Sequence, residues 1–164
     1  MIERVVHPYQ LQKALEHVIA NKGSAGVDGI SVREIRKIFT DKKLQMIEEI
    51  RQGHYQAQPI LGITIPKGNG KTRLLGIPTT SERVLQQSVA QNLAPLFEPE
   101  FKPNSYGFRP NKNARQAVGQ AREYIHQGLN HIVDTDLKNF FDEVDHCLLL
   151  NIVYQKVKCK TTMQ

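Results

Sequence analysis

The stretch HIVDTDLKNFFDEVDH, residues 131–146, sets four aspartates and one glutamate around a hydrophobic segment. Read as an alternating strand, Ile132, Asp134 and Asp136 share one face of residues 131–137, and Val133, Thr135 and Leu137 share the other. A fully buried strand does not accept two unpaired carboxylates, because each loses its hydration. A strand end that opens into a polar cleft does. Phe140 and Phe141 follow as bulk, Asp142 is expected to cap the next helix, and His146 to support a turn. Asp136 at the junction offers the hard oxygen that Mg²⁺ prefers. On the residues alone, ordinary solvation of a strand end leads over metal binding, and both readings stand.

Working back towards the amino terminus, Ala114, Ala117, Val118, Ala121, Tyr124 and Ile125 mark an amphipathic helix that Gly128 ends. Before it, SYGFRPN is a loop in which Phe108 reads as core and Arg109 reads as a contact to a phosphate backbone or a support for a nucleotide cleft, with a buried structural pair close behind. Val84, Leu85, Val89, Leu93 and Leu96 give helical spacing over 82–97, with Pro95 loosening the last turns. PILGITIP and TRLLGIP, joined by KGNGK, read as a hairpin that carries Lys67, Lys71 and Arg73 near its tip.

Leu11, Leu15, Val18 and Ile19 stripe a first helix that closes near Gly23. Asp28–Gly29 suits a reversal, and Ser31 with Glu34 has capping-box spacing for a second helix. Leu44, Ile47 and Ile50 suggest a further helical stretch after Thr40–Asp41. Helices, a hairpin, more helices and one strand favour an α+β fold over a repeated βα unit.

The chain has 164 residues, with 22 Lys and Arg against 16 Asp and Glu, a formal charge of +6. That balance favours a polyanionic partner. Two cysteines, Cys147 and Cys159, lack zinc-ligand spacing and are too few for a disulfide scaffold, so both read as buried or indifferent thiols. No apolar segment reaches membrane-spanning length, and with no secretory leader the expected location is cytoplasmic.

Four ordered blocks carry a resemblance to a known family: NKGSAGVDGIS, IPKGNGKTRLLGIPTTSERVLQQ, PLFEPEFKPNSYGFRPNKNARQAV and DTDLKNFFDEVDH. Together they resemble the amino-terminal part of bacterial group II intron reverse transcriptases, the maturase proteins. The resemblance implies reverse-transcriptase-like fingers over residues 1–110 and the start of the palm over 111–164. It implies RNA-directed DNA polymerisation, in which a primer 3′-oxygen attacks a deoxynucleoside triphosphate on an RNA template. Asp136 would be the first palm metal ligand, with the Leu137 carbonyl beside it and Mg²⁺ as the ion. Lys67 and Arg73 would hold the incoming triphosphate, and Phe141 would bound its sugar. Lys22, Lys71 and Arg109 would contact RNA, and group II intron RNA is the implied native partner.

The chain departs from the family's pattern at its end. A second palm motif with paired aspartates is expected, yet the sequence contains no Asp–Asp dipeptide. The remaining palm, thumb and maturase regions are not represented, so this stretch is expected to be inactive alone and to self-associate through exposed palm surface. A noncatalytic module for intron RNA, or an inert remnant, is the alternative.

Overall fold

Pro8 has the backbone angle of a first helical turn and no N–H to leave unsatisfied. His7 caps that turn, its imidazole nitrogen accepting from the Tyr9 N–H, and helix α2 runs Pro8–Ala20 after a short α1, Ile2–Val5. The expected stripe is present, with Leu11, Ala14, Leu15 and Val18 buried. The computed structural model of the protein describes every residue except Asn69, Asn139 and Gln164, so part of the KGNGK loop and of the acidic motif lies outside the described residues.

Asp28 and Gly29 make the expected reversal. The Asp28 carboxylate accepts from the Ile30 N–H at 3.1 Å, and Gly29 takes φ +69°. The capping-box pair also meets, with Glu34 accepting from the Ser31 N–H at 3.1 Å and from its hydroxyl at 2.6 Å. These bonds hold the Glu34 carboxyl below its usual range. Residues 32–34 nevertheless form a turn, and α3 begins later, at Ile35. It then runs unbroken to Arg51 through Thr40–Asp41, where a second stretch was expected. The Thr40 hydroxyl donates to the Arg36 carbonyl at 2.7 Å, so it finds its partner inside the helix rather than ending it.

The hairpin forms as expected, β1 (Leu61–Pro66) antiparallel to β2 (Thr72–Ile77), with Ile63 opposite Leu75 and Ile65 opposite Arg73. Helix α4 covers Thr80–Phe97 with Pro95 inside it, followed by a 3-10 turn at Glu98–Glu100. Helix α5 (Ala114–His126) has a capping box of Asn113 and Gln116 and ends before Gly128 at φ +89°. Short α6 (Phe140–Glu143), α7 (His146–Val157) and α8 (Lys160–Met163) complete the chain. The Leu148 N–H donates to Asp145 at 2.9 Å, so Asp145 takes the capping role expected of Asp142. The result is a mixed helix-and-sheet fold with one small antiparallel sheet among the described residues.

Two compact units divide it: Met1–Leu93 with the residues from Tyr154 onward, and Ala94–Val153. The first holds the core, in which Val6, Leu11, Leu15, Val18, Ile35, Phe39, Met46, Ile47 and Val84 pack together. Burying each such aliphatic side chain contributes about 1.5–3 kcal/mol. In the second unit none of the described residues is buried. Residues 131–137, expected as a strand, form none. A strand exists only with a ladder partner, and the sheet among the described residues contains β1 and β2 alone. Phe108, expected in the core, is fully exposed with φ +54°, and the thiol of Cys147 is exposed rather than buried.

Gly26 tests the packing of the first unit. A Cβ there would lie 2.6 Å from the Thr79 Cα and 2.7 Å from its nitrogen, both backbone atoms that cannot swing away. Gly26→Ala is therefore expected to cost about 1–3 kcal/mol. Gly29→Ala, which meets open space and bears only its positive φ, should cost about 1 kcal/mol. Denaturant midpoints of the two variants should fall in that order.

Candidate nucleic-acid interface

Side chains on a strand alternate, and directly opposed residues of a hairpin share a face. Leu61, Ile63 and Ile65 therefore share their face with Ile77, Leu75 and Arg73. The Lys67 N–H donates to the Lys71 carbonyl at 2.6 Å, which extends the same pairing by one step. By this parity Lys67, Lys71 and Arg73 cluster at the distal end of an apolar ribbon. All three are exposed, and among the described residues none is ion-paired with a carboxylate. A cluster of unpaired cations with an apolar base can grip phosphates while stacking a sugar or base beside them.

The start of α4 fixes the base of this ribbon, and sequence reasoning missed it. Glu82 is 5% exposed. Its Oε1 accepts from the Tyr55 hydroxyl at 2.8 Å and from the Gln58 N–H at 3.0 Å. It thereby ties the segment entering β1 to the helix that leaves β2. Thr80 donates to the Ile30 carbonyl at 2.7 Å, and Arg83 donates to the carbonyl of Ser24 at 2.5 Å. The same helical turn thus also holds the glycine loop. The available signal was a run of polar residues, TTSER, at the start of a helix whose later positions are apolar.

Burial, with the hydrogen bond to Glu82 and its charge, pushes the Tyr55 phenol above its ordinary value of 10.0. The folded state holds this proton more tightly than the unfolded chain. The stability it confers is whole below pH 10 and is lost as the pH rises above that value. Wild type should lose stability over that alkaline range relative to Tyr55→Phe, as followed by denaturant unfolding.

Lys22 is exposed in the first unit at φ +51°, and the other residues singled out belong to the second unit. Asp136, Leu137 and Phe141 are exposed, and the Phe140 and Phe141 rings meet edge-on at 5.5 Å. Among the described residues no three His, Cys, Asp or Glu side chains gather to hold a metal. Mg²⁺ is usually held by one or two carboxylates, with water and substrate phosphates filling the rest of its roughly six positions, so Asp136 and the Leu137 carbonyl fit as part of such a shell.

Arg109 is committed to its own unit. Its Nε and Nη2 donate to Glu98 at 2.9 and 2.7 Å, and Nη1 donates to the carbonyls of Lys102 and Ser105 at 2.7 and 2.9 Å. The guanidinium also lies over the Phe101 ring at 5.2 Å. Of the two roles open in the sequence, the geometry supplies the structural pair, with few donors left for a phosphate. Arg109→Ala should destabilise the second unit by about 2–3 kcal/mol, because it strands the Glu98 carboxylate and two carbonyls. Hydrogen exchange in residues 98–112 would register that loss, and unchanged protection would contradict it.

The reverse transcriptase (RNA-dependent DNA polymerase) family matches residues 65–164, which include the end of β1, all of β2 and the acidic segment, and the chain belongs to it. Among curated relatives, the group II intron-encoded protein LtrA of Lactococcus lactis is 32% identical over 153 residues, 88% of this chain and 24% of that protein. Protein YkfC of Escherichia coli is 29% identical over 163 residues, 96% of this chain and 43% of its own length. The putative COX1/OXI3 intron 2 protein of Saccharomyces cerevisiae is 29% identical over 145 residues, 87% of this chain and 16% of its own. The chain thus spans less than half the length of these relatives. Among the described residues no helix is long and apolar enough to cross a membrane.

Proposed function

We propose that this chain supplies the fingers and the first palm motif of an RNA-directed DNA polymerase of the group II intron type. The family match over residues 65–164 carries the reading, because that span contains Lys67, Arg73, Asp136 and Phe141. Arg73 offers a planar fork to the oxygens of a triphosphate, and Lys67 adds a mobile point charge. Phe141, as an exposed ring, bounds the sugar of the incoming deoxynucleotide, where an added 2′-hydroxyl would meet an aromatic wall. Asp136, with the Leu137 carbonyl, contributes oxygen donors to one side of a magnesium site. Magnesium, when bound, supplies the activation of the primer oxygen and the stabilisation of leaving pyrophosphate. The donors within this stretch do not complete such a site, so the chain alone is proposed to bind without turning over.

RNA is the proposed template, gripped through its phosphates by Lys22 and the hairpin cation Lys71, with group II intron RNA as the native partner. A second reading, a noncatalytic RNA module, draws on the same exposed cations. The two separate by titration with a deoxynucleoside triphosphate. The polymerase reading expects binding that weakens in Lys67→Ala/Arg73→Ala, and the RNA-module reading expects none. Primer extension by the purified chain should give no Mg²⁺-dependent product. Incorporation abolished by Asp136→Ala would overturn the claim that the site is incomplete.

Self-association is proposed through the second unit, where Val118, Ile132, Val133, Leu137, Leu148 and Ile152 are exposed. Sedimentation velocity should show a concentration-dependent species, and a monomer at every concentration would remove that proposal.

A further inference from the structure

The free edge of the hairpin follows from its pairing. In an antiparallel ladder, residues bonded to the partner strand alternate with residues whose N–H and C=O point away from it. Lys67 is bonded to Lys71, so by the register Ile65 with Arg73, Ile63 with Leu75 and Leu61 with Ile77 are the bonded pairs. The outward groups of β1 then belong to Gly62, Thr64 and Pro66, and those of β2 to Thr72, Leu74 and Gly76. Pro66 has no N–H to offer, which blunts the β1 edge. The β2 edge keeps every donor, and no third strand pairs with it among the described residues. Leu74 on that edge is 73% exposed, so the edge carries apolar surface as well as open hydrogen-bonding groups.

Residues 131–137 are a matching half. They are exposed and lie outside any helix or strand, although HIVDTDL has the alternation of one. A single antiparallel register mates the side chains. Asp134 opposite Arg73 sets Asp136 opposite Lys71, Ile132 opposite Leu75, Val133 opposite Leu74 and Thr135 opposite Thr72. Opposite charges, apolar pairs and paired threonines each favour a ladder. The alternatives clash. A slip of two residues sets Ile132 on Arg73 in one direction and Asp134 on Leu75 in the other, and a parallel strand with Asp134 on Arg73 sets Asp136 on Leu75. In the matching register both ion pairs and the Ile132 contact to Leu75 also fall at the non-hydrogen-bonded positions, where opposed Cα atoms approach to about 4.5 Å.

We propose that residues 132–136 of a second copy of this chain add to the β2 edge as a third, antiparallel strand in that register. The inference rests on the proposed self-association through the second unit, whose exposed Ile132 and Val133 it seats, and it names the surface they meet. The chain's own fold leaves the edge and the segment unpaired among the described residues, and a second copy supplies each with its partner. Once mated, the two aspartates lie across from Arg73 and Lys71 and withdraw those cations from phosphate.

The test uses the 164-residue chain with Cys147→Ser/Cys159→Ser as background, because a non-hydrogen-bonded pair has the spacing of a disulfide. Leu75→Cys mixed with Ile132→Cys should form a covalent dimer under oxidised glutathione. Neither variant should do so alone, nor should Leu74→Cys mixed with Ile132→Cys, whose side chains take opposite faces. Val133→Pro removes an N–H that the ladder needs, at an exposed residue outside any element. It should weaken association about tenfold or more by sedimentation velocity, with the denaturant midpoint at the wild-type value. Asp134→Arg sets like charges opposite and should weaken association about fivefold, and adding Arg73→Asp to it should restore the wild-type value. If wild type sediments as a monomer at every concentration, the ladder and the self-association reading both fall. If wild type associates but the Leu75→Cys and Ile132→Cys mixture links no better than its controls, or Val133→Pro associates as wild type does, the ladder is overturned and the self-association reading survives. If Leu75→Cys/Ile132→Cys in one chain closes a disulfide within the monomer in dilute solution, the second copy is overturned in favour of the chain's own segment.

Discussion

The buried carboxylate of Glu82 is the constraint on which the first unit turns. A carboxylate removed from water must be repaid in hydrogen bonds, and Glu82 finds them in the Tyr55 hydroxyl and the Gln58 N–H. Those partners lie before the hairpin and Glu82 lies after it, so one interaction closes the chain around β1 and β2. An isolated two-stranded hairpin is marginal in water. Here its cationic tip stands on a base tied to the same helical turn that holds the glycine loop through Thr80 and Arg83. The exposed, functional-looking surface is thus carried by a small polar knot at its root and not by packing along the ribbon, most of whose residues are exposed.

The second unit is organised by different means. Its order comes from the Arg109 guanidinium, which collects Glu98 and two carbonyls around the Phe101 ring. Lys112 does the same on a smaller scale, donating to the Pro103 carbonyl at 3.0 Å and lying over the Tyr106 ring. Polar knots of this kind hold a loop in place but exclude little apolar surface from water. Helices α5 and α7 form, yet their apolar side chains are left exposed or half-buried. Local hydrogen bonding and capping suffice for helix, whereas the acidic segment needs a neighbour across a ladder before it can be strand.

This contrast bears on function. The family match covers residues 65–164, where the basic end of the hairpin stands formed while the carboxylate segment is irregular and exposed. Cations act on phosphates at long range and tolerate loose geometry, so a basic surface is useful as soon as its scaffold is in place. A magnesium centre needs several oxygens at fixed distances, of which Asp136 offers one carboxylate and water and phosphates commonly supply others.

Helix periodicity, the turn at Asp28–Gly29, the two strands and the hairpin's basic tip were legible in the sequence, because each follows from spacing along the chain. So was the family, through four ordered blocks that include the Asp136 motif. The unbroken α3, the exposure of Phe108 and the missing strand at 131–137 were not, and for Arg109 the sequence left open the choice that its bonds to Glu98 and two carbonyls decide. Neither was the role of Glu82. A linear pattern records which residues suit water or core, and which suit helix or strand. It does not record which distant N–H a buried carboxylate will meet, or whether an extended segment finds a partner. Those outcomes depend on contacts between residues remote in sequence, and the tertiary structure alone decides them.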